Sequence, residues 1–268
     1  MERHPHIVVD GLGHVYATSP QPLTALAEVD LRVDLGSFVS IIGPSGAGKT
    51  TLLKAIGGLI DPTEGSVVVD DVTPAVAQRS KTFGYVFQDP SLLPWRTVVE
   101  NVSLPLQLNR SGGQRSTHAT EEAVAAVGLA EFSDYHPHQL SSGMRQRVAL
   151  ARAMVMDPAV LLMDEPLGSL DEITRTEMRY EILRLWEGTR KTVVLVTHSI
   201  AEAVMMSDVV AVMSSAPGRI VDEIRIDLPR PRDSTLERSS RFLQYVSDLR
   251  DVLSVGAAHG PIPLQATA

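Results

Sequence analysis

The chain of 268 residues contains no cysteine. A disulfide framework, thiolate catalysis and Cys-ligated zinc are thereby excluded, and the composition fits a cytosolic setting. Long apolar runs are missing as well. None approaches the ~18 residues needed to span a bilayer, and the opening "MERHPHIVVDGLGHVY" has no apolar core of a secretory signal. Concentrated positive charge is the third lack. Against 32 Asp+Glu stand 24 Lys+Arg, a net charge of −8, and the one dense basic stretch is "PRPRD" at 229–233. A nucleic-acid binder ordinarily carries a basic face. Neither nucleic acid nor anionic lipid is therefore expected as main partner, and any membrane contact is expected to run through a protein.

What the chain does have is enough apolar residue, 44%, for one sizeable core or a core plus a smaller lobe. The segments "HIVVDGLGHVY", "ALAEVDLRVDL" and "SFVSIIG" (37–43) read as strands, followed by a Gly-rich turn and a helical pattern from Lys49 to Gly58. Further strands are expected in 62–71, 81–89, 159–166, 191–199, 208–214 and 218–228. From 90 to 156 the pattern is helical, with breaks at Pro105, Gly112-Gly113 and Pro137; amphipathic helices are expected near 171–188 and at 236–253. The uncharged tail 256–268 reads as disordered. No internal repeat occurs. This order predicts an α/β fold with a helical lobe.

Two motifs carry chemistry. "GPSGAGKTT" comprises Gly43, Pro44, Ser45, Gly46, Ala47, Gly48, Lys49, Thr50 and Thr51, and matches G-x-x-x-x-G-K-[ST] between an apolar strand and a helix. Its glycines let successive backbone N–H groups turn toward phosphate oxygens, and the helix N-terminus adds its positive end. Lys49 is then placed to neutralise the β- and γ-phosphates and Thr50 to ligate Mg²⁺. "AVLLMDEP" ends an apolar strand in carboxylates, delivering them to the sheet edge where ligands bind in open α/β sheets. Asp164 is expected to hold Mg²⁺, and Glu165 to reach the water that attacks the γ-phosphate. Together these give a nucleotide hydrolase.

Two stretches compete for the role of γ-phosphate sensor. "NRSGGQRSTH" (109–118) contains Ser111-Gly112-Gly113-Gln114, but "RSTHATEE" follows it, and helical pattern resumes only near Glu121. "QLSSGMRQRVALARA" (139–153) runs straight into a helical pattern, with Met144, Val148, Ala151 and Val155 at helical spacing and Ser141 placed as N-cap. The second stretch is the expected sensor. The first is a connector.

With these motifs in this order the chain resembles the ATP-binding subunits of ABC transporters over roughly residues 5–230. "LSSGMRQRVALARA" is similar to that family's signature, and Leu140 lies 24 residues before Asp164. The resemblance implies a P-loop NTPase (RecA-like) core with an antiparallel β subdomain and an inserted helical subdomain. The implied boundaries are core 1–89 and 157–230, helical subdomain 90–156, and a C-terminal helix and tail at 231–268. It further implies that ATP and Mg²⁺ are the cofactors and that Gln88 of "YVFQDPSLLPW" is the Q-loop residue that ligates Mg²⁺. Asp171 of "GSLD" belongs to the D-loop, His198 of "LVTHS" is the switch histidine, and Tyr16 stacks on adenine. Ser141 and Gly143 are the implied phosphate contacts of the signature, made across a head-to-tail homodimer.

Ser142 departs from the usual glycine of the signature. It is costly if the backbone there needs a positive φ and mild if it simply starts a helix; the helix-start reading is expected. The segment Gln88–Trp95, with Leu92, Leu93 and Trp95 expected at the surface, is the implied docking site for a transmembrane permease. A solute-binding protein would be an indirect partner, and the location would be peripheral, on the cytoplasmic face of the membrane. "LLPWRTVVENV", "HPHQLSSGM", "THSIAEAV" and "LPRPRD" look most like nitrate/sulfonate/taurine-type importers. An exporter cassette or a soluble, non-transport ABC ATPase is the alternative. Only 115 residues separate Lys49 from Asp164 and they hold no sustained heptads, which disfavours chromosome-type members. A P-loop kinase would leave the signature and His198 unexplained.

Overall fold

The computed structural model describes residues 5–18, 21–109 and 117–258. In chain order the elements are β1 (Pro5–Tyr16), β2 (Leu23–Asp34), β3 (Phe38–Ile42), α1 (Lys49–Ile56), β4 (Glu64–Val69), α2 (Pro74–Arg79), β5 (Phe83–Val86) and α3 (Val98–Leu108). There follow α4 (Thr117–Ala126), α5 (Ser142–Met154), β6 (Val160–Asp164), α6 (Glu172–Thr189), β7 (Thr192–Val196), α7 (Ile200–Met206), β8 (Val209–Met213), β9 (Ile220–Arg225) and α8 (Ser240–Ala258). They form two compact units, Met1–Arg79 with Val194–Ala268, and Ser80–Val193. No helix among the described residues is long and apolar enough to cross a membrane.

In the first unit β1 pairs antiparallel with β2 on one side and β4 on the other. Val29, Leu31 and Val33 of β2 are buried at alternate positions, as one apolar face of an antiparallel sheet requires. All five residues of β3 are buried. It pairs parallel with β8, which pairs antiparallel with β9. The end of β7 lies beside β3, since Thr197 N donates to Ile41 O at 3.2 Å. The helices α7 and α8 pack on each other, α7 on β3 and α8 on β8.

In the second unit β5 and β6 run parallel, from Phe83 opposite Val160 to Val86 opposite Met163. Helix α5 packs against α3, α4, α6 and β5. Thr97 and Glu100 open α3 with a reciprocal capping box, two orphan N–H groups satisfied at once.

Several element boundaries differ from the sequence expectation. Pro105 does not break the helix but lies inside α3; the proline ring removes one backbone bond, and the helix ends one turn later. Helix α4 starts at Thr117 rather than near Glu121, so the connector is shorter, and Ser111–Gln114 lie outside the described residues. The strand expected over 81–89 is only Phe83–Val86, because the chain must leave the sheet before the proline at 90. Helix α2 carried no periodic signal. Helix α8 runs to Ala258, into the stretch read as tail; residues 259–268 lie outside the described part.

Candidate functional site

In the first unit, buried β3 delivers the chain to the Gly43–Thr51 loop, and α1 leads away from it. Gly48 is the N-cap of α1 with φ +83°. A side chain there would also meet the carbonyl of Ala25 at 2.7 Å, so only glycine fits. Lys49 is 7% exposed. Its ammonium donates to the carbonyls of Gly43 at 2.9 Å and Pro44 at 2.8 Å, which holds the charge over the loop. The Tyr16 hydroxyl lies 3.2 Å from Thr51 Oγ1. The tyrosine ring meets His14 edge-to-face at 4.5 Å, and His14 Nδ1 lies 3.1 Å from Asp61 O. Tyr16 is thus tied to the loop from the side. His198 is exposed directly after β7, so it leaves the strand neighbouring the one that feeds Gly43.

In the second unit β6 ends at Asp164, and Glu165 follows with φ +46°. A residue other than glycine at that φ costs of the order of 1 kcal/mol, and such strain collects at functional sites. Gln88 and Glu165 come together. A Cβ at Gly168 would stand 3.5 Å from Gln88 Nε2 and 3.5 Å from Glu165 Oε2. The phenol of Tyr85 is buried with no hydrogen-bond partner; burial first, and the charge of Asp164 second, push it above its ordinary range.

Ser141 is the N-cap of α5, its Oγ accepting from Met144 N at 3.2 Å. Ser142 is the first residue of that helix and is not among the residues with positive φ. The departure from glycine is therefore the mild one. Asp171 caps α6, accepting from Thr174 N at 3.1 Å and Thr174 Oγ1 at 2.7 Å. These bonds hold its carboxyl below the usual aspartate value. Thr174 also bounds Gly143, where a Cβ would stand 2.4 Å from its Cγ2.

Gln146 and Arg152 lie within the signature stretch but were given no role there, and Thr174 and Arg175 were not singled out at all. Gln146 Nε2 donates to Phe87 O at 3.3 Å, and the Arg152 guanidinium donates to Ser91 O at 3.0 Å and to Pro90 O. Helix α5 therefore pins both sides of Gln88. Burial lowers the Arg152 pKa from its ordinary value. Arg175 holds the turn before α6 through Leu167 O and Leu170 O, and Thr174 joins Asp171 to Gly143. For Gln146 and Arg152 the available signal was a polar residue among the apolar positions of α5. Beyond Gln88, fully buried Asn101 donates to the carbonyls of Leu93, Arg96 and Thr97 and accepts from Leu93 N. Trp95 stands out of that frame at 71% exposure, whereas Leu92 and Leu93 are half-buried rather than exposed. A cleft of about 550 Å³ lies among Gln88, Ser91, Pro137, Ser142, Arg145 and Ser169.

Residues 26–168 match the family model described as ABC transporter. The chain belongs to the ABC transporter ATP-binding family. Among its relatives is the nitrate import ATP-binding protein NrtD of Synechocystis sp., 37% identical over 92% of this chain and 95% of the relative. The taurine import ATP-binding protein TauB of Burkholderia pseudomallei is 43% identical over 81% and 82%. Among solved structures, the dimeric post-hydrolysis state of the ATP-binding cassette MJ0796, bound to ADP and Pi, superposes with a TM-score of 0.73 at 33% identity. That match covers 83% of this chain and 100% of the other. The cassette is an ATPase of the P-loop NTPase class. No concentrated basic patch is offered by its "PRPRD" stretch, because Arg230 and Arg232 are turned inward onto backbone carbonyls.

Proposed function

We propose that this cassette powers an ABC importer for small oxyanion-bearing solutes of the nitrate, sulfonate or taurine kind. The supporting observation is the Q-loop segment. Gln88 shares the surroundings of Gly168 with Glu165, while the same segment, held by Arg152 and Asn101, presents Trp95 to the exterior. A partner that moves Trp95 would therefore move Gln88. That partner is a transmembrane permease, which keeps the cassette peripheral on the cytoplasmic face and connects it to a solute-binding protein. The names of the relatives support the choice of solute.

In this reading ATP lies between two copies, its phosphates on Gly43–Thr51 of one and Ser141 and Gly143 of the other, in a two-fold arrangement. Tyr16 stacks on adenine and His198 meets the γ-phosphate. Thr50, Gln88 and Asp164 offer hydroxyl, amide and carboxylate oxygens, the hard donors that suit a Mg²⁺ shared with substrate phosphates. Mg²⁺ would supply neutralisation of phosphate charge. Glu165 orients the attacking water and takes its proton, and Asp171 contributes from the D-loop. In this proposal the core comprises residues 1–89 and 157–230, the inserted helical lobe 90–156 and the C-terminal extension 231–268.

The test is recovery of tagged protein from membranes of the native cell, with the co-purifying proteins identified. A polytopic protein that comes down with the cassette, and is lost on Trp95→Ala, is the expected result. Recovery of cytosolic factors alone would sink the transport reading and leave the ATPase without its load.

A further inference from the structure

The "PRPR" stretch has no role in the nucleotide-site motifs above, yet its two arginines make a dense set of side-chain bonds to backbone. Arg232 is 5% exposed. Its Nη1 donates to Val204 O at 3.1 Å, Met205 O at 3.0 Å and Ser207 O at 2.8 Å, and its Nη2 to Ile226 O at 3.3 Å and Leu228 O at 3.4 Å. Arg230 adds Met206 O at 2.9 Å and grips Asp208 Oδ1 with Nη2 at 2.8 Å and Nε at 3.1 Å. Asp208 Oδ2 accepts from Phe38 N at 2.9 Å, at the start of β3.

Four of these carbonyls, on Val204, Met205, Met206 and Ser207, form the C-terminal end of α7. A helix of seven residues is too short to hold itself, and its last carbonyls have no partner within it. Two guanidinium groups supply the donors and place positive charge where the helix dipole is negative. At the other end of α7 stands His198. Thr197 and Ser199 flank it, and both are bound to Glu202 of α7: Thr197 Oγ1 donates to Glu202 Oε2, and Glu202 N donates to Ser199 Oγ at 3.3 Å. Ser199 N in turn donates to Thr197 Oγ1 at 3.1 Å. The backbone around His198 is thus set by α7, and α7 is set from its far end by Arg232.

We propose that Arg232 is a positioning residue for His198, acting through α7. The inference rests on the reading of His198 as the residue that meets the γ-phosphate. Misplacing α7 would then slow hydrolysis while leaving the Gly43–Thr51 loop, on a different strand, able to bind nucleotide.

Four full-length proteins test this: Arg232→Met, Arg232→Lys, His198→Ala, and His198→Ala with Arg232→Met. For each, kcat and KM for ATP with Mg²⁺ and the affinity for ADP are measured, with a melting curve to establish folding. His198→Ala should reduce kcat sharply. Arg232→Met should lower kcat roughly tenfold or more, the scale on which small misplacements act, with KM and ADP affinity within about twofold. Arg232→Lys, one point charge in place of a five-donor fork, should fall between wild type and Arg232→Met. On the His198→Ala background Arg232→Met should change kcat no further.

Wild-type kcat in folded Arg232→Met overturns the proposal, as does a further loss in the double variant. If Arg232→Met does not fold, Arg232→Lys decides, and unchanged kcat in it overturns the proposal. If His198→Ala itself leaves kcat unchanged, the reading of His198 fails and takes the proposal with it. That outcome is distinct from an active role for His198 to which Arg232 is indifferent.

Discussion

Thr174 faces Gly143 with its methyl and Asp171 with its hydroxyl. A Cβ on Gly143 would stand 2.4 Å from Thr174 Cγ2, while Thr174 Oγ1 donates to Asp171 at 2.7 Å. The start of α5 and the Asp171 cap of α6 are therefore fitted to each other through one side chain. Gly143→Ala should cost about 1–3 kcal/mol by overpacking, seen as a lower melting temperature. Adding Thr174→Ser removes the methyl and keeps the hydroxyl, and should restore most of that stability. Failure of the double variant to recover would place the clash elsewhere.

Glu165 occupies a left-handed backbone conformation. Glycine relieves that strain, so Glu165→Gly should melt no lower than wild type and be stabilised by up to about 1 kcal/mol. Phosphate release should nonetheless fall by roughly 10²–10⁴-fold. A stability gain coupled to lost turnover would identify strain kept for function; turnover at the wild-type rate would remove Glu165 from the hydrolytic step.

Arg152 holds the carbonyls of Pro90 and Ser91 from inside α5. Its loss as Arg152→Met should reduce stability by about 2 kcal/mol, the worth of charged hydrogen bonds at a partly buried site. Amide exchange at Asp89, Ser91 and Leu92 should accelerate in the variant. An unaltered exchange pattern there would show that Asn101 and Gln146 hold the segment without Arg152.

The depressed pKa of Asp171 has a definite pH signature. A carboxyl whose folded pKa lies below its ordinary value of 3.8 contributes stability that is present above that value and lost as pH falls through the folded pKa. The difference in melting temperature between wild type and Asp171→Ala should be constant near neutrality and shrink only in acid below the ordinary aspartate range. A difference that disappears between pH 7 and 5 would point to another titrating group.

The two serine-glycine stretches separate by mutation. Ser141→Arg puts a bulky cation where α5 begins and should abolish ATP turnover, whereas Ser111→Ala and Gln114→Ala should leave it within about twofold, as substitutions away from a functional feature do. The reverse pattern in a phosphate-release assay would exchange the two assignments.

The phosphate loop, the acidic strand end and the helix after Ser141 were legible because each depends on local rules. Gly48 needs a positive φ at a strand–turn–helix junction, Ser141 supplies a cap oxygen three residues before an N–H that lacks a partner, and β3 and β6 are mostly apolar because they are buried. The α/β class follows from the alternation of such segments.

Contacts between residues far apart in the chain were not legible, since no period or spacing encodes them. Arg152 meets Ser91 across 61 positions and Tyr16 meets Thr51 across 35, and only chain topology brings those partners within bonding distance. Pro105 and the "PRPR" stretch mark the same limit. Local propensity made one a helix break, and charge alone marked the other as the one dense basic stretch. Packing of α3 against α5 carries the helix past Pro105, and burial turns Arg230 and Arg232 onto carbonyls that the α7 C-terminus leaves unpaired. By itself the sequence determined the local pieces: a glycine turn ahead of α1, a strand ending in carboxylates and a serine-capped α5. Tertiary structure decided which buried side chains hold those groups in place, because desolvated carbonyls and charges must find whichever partners the fold brings near.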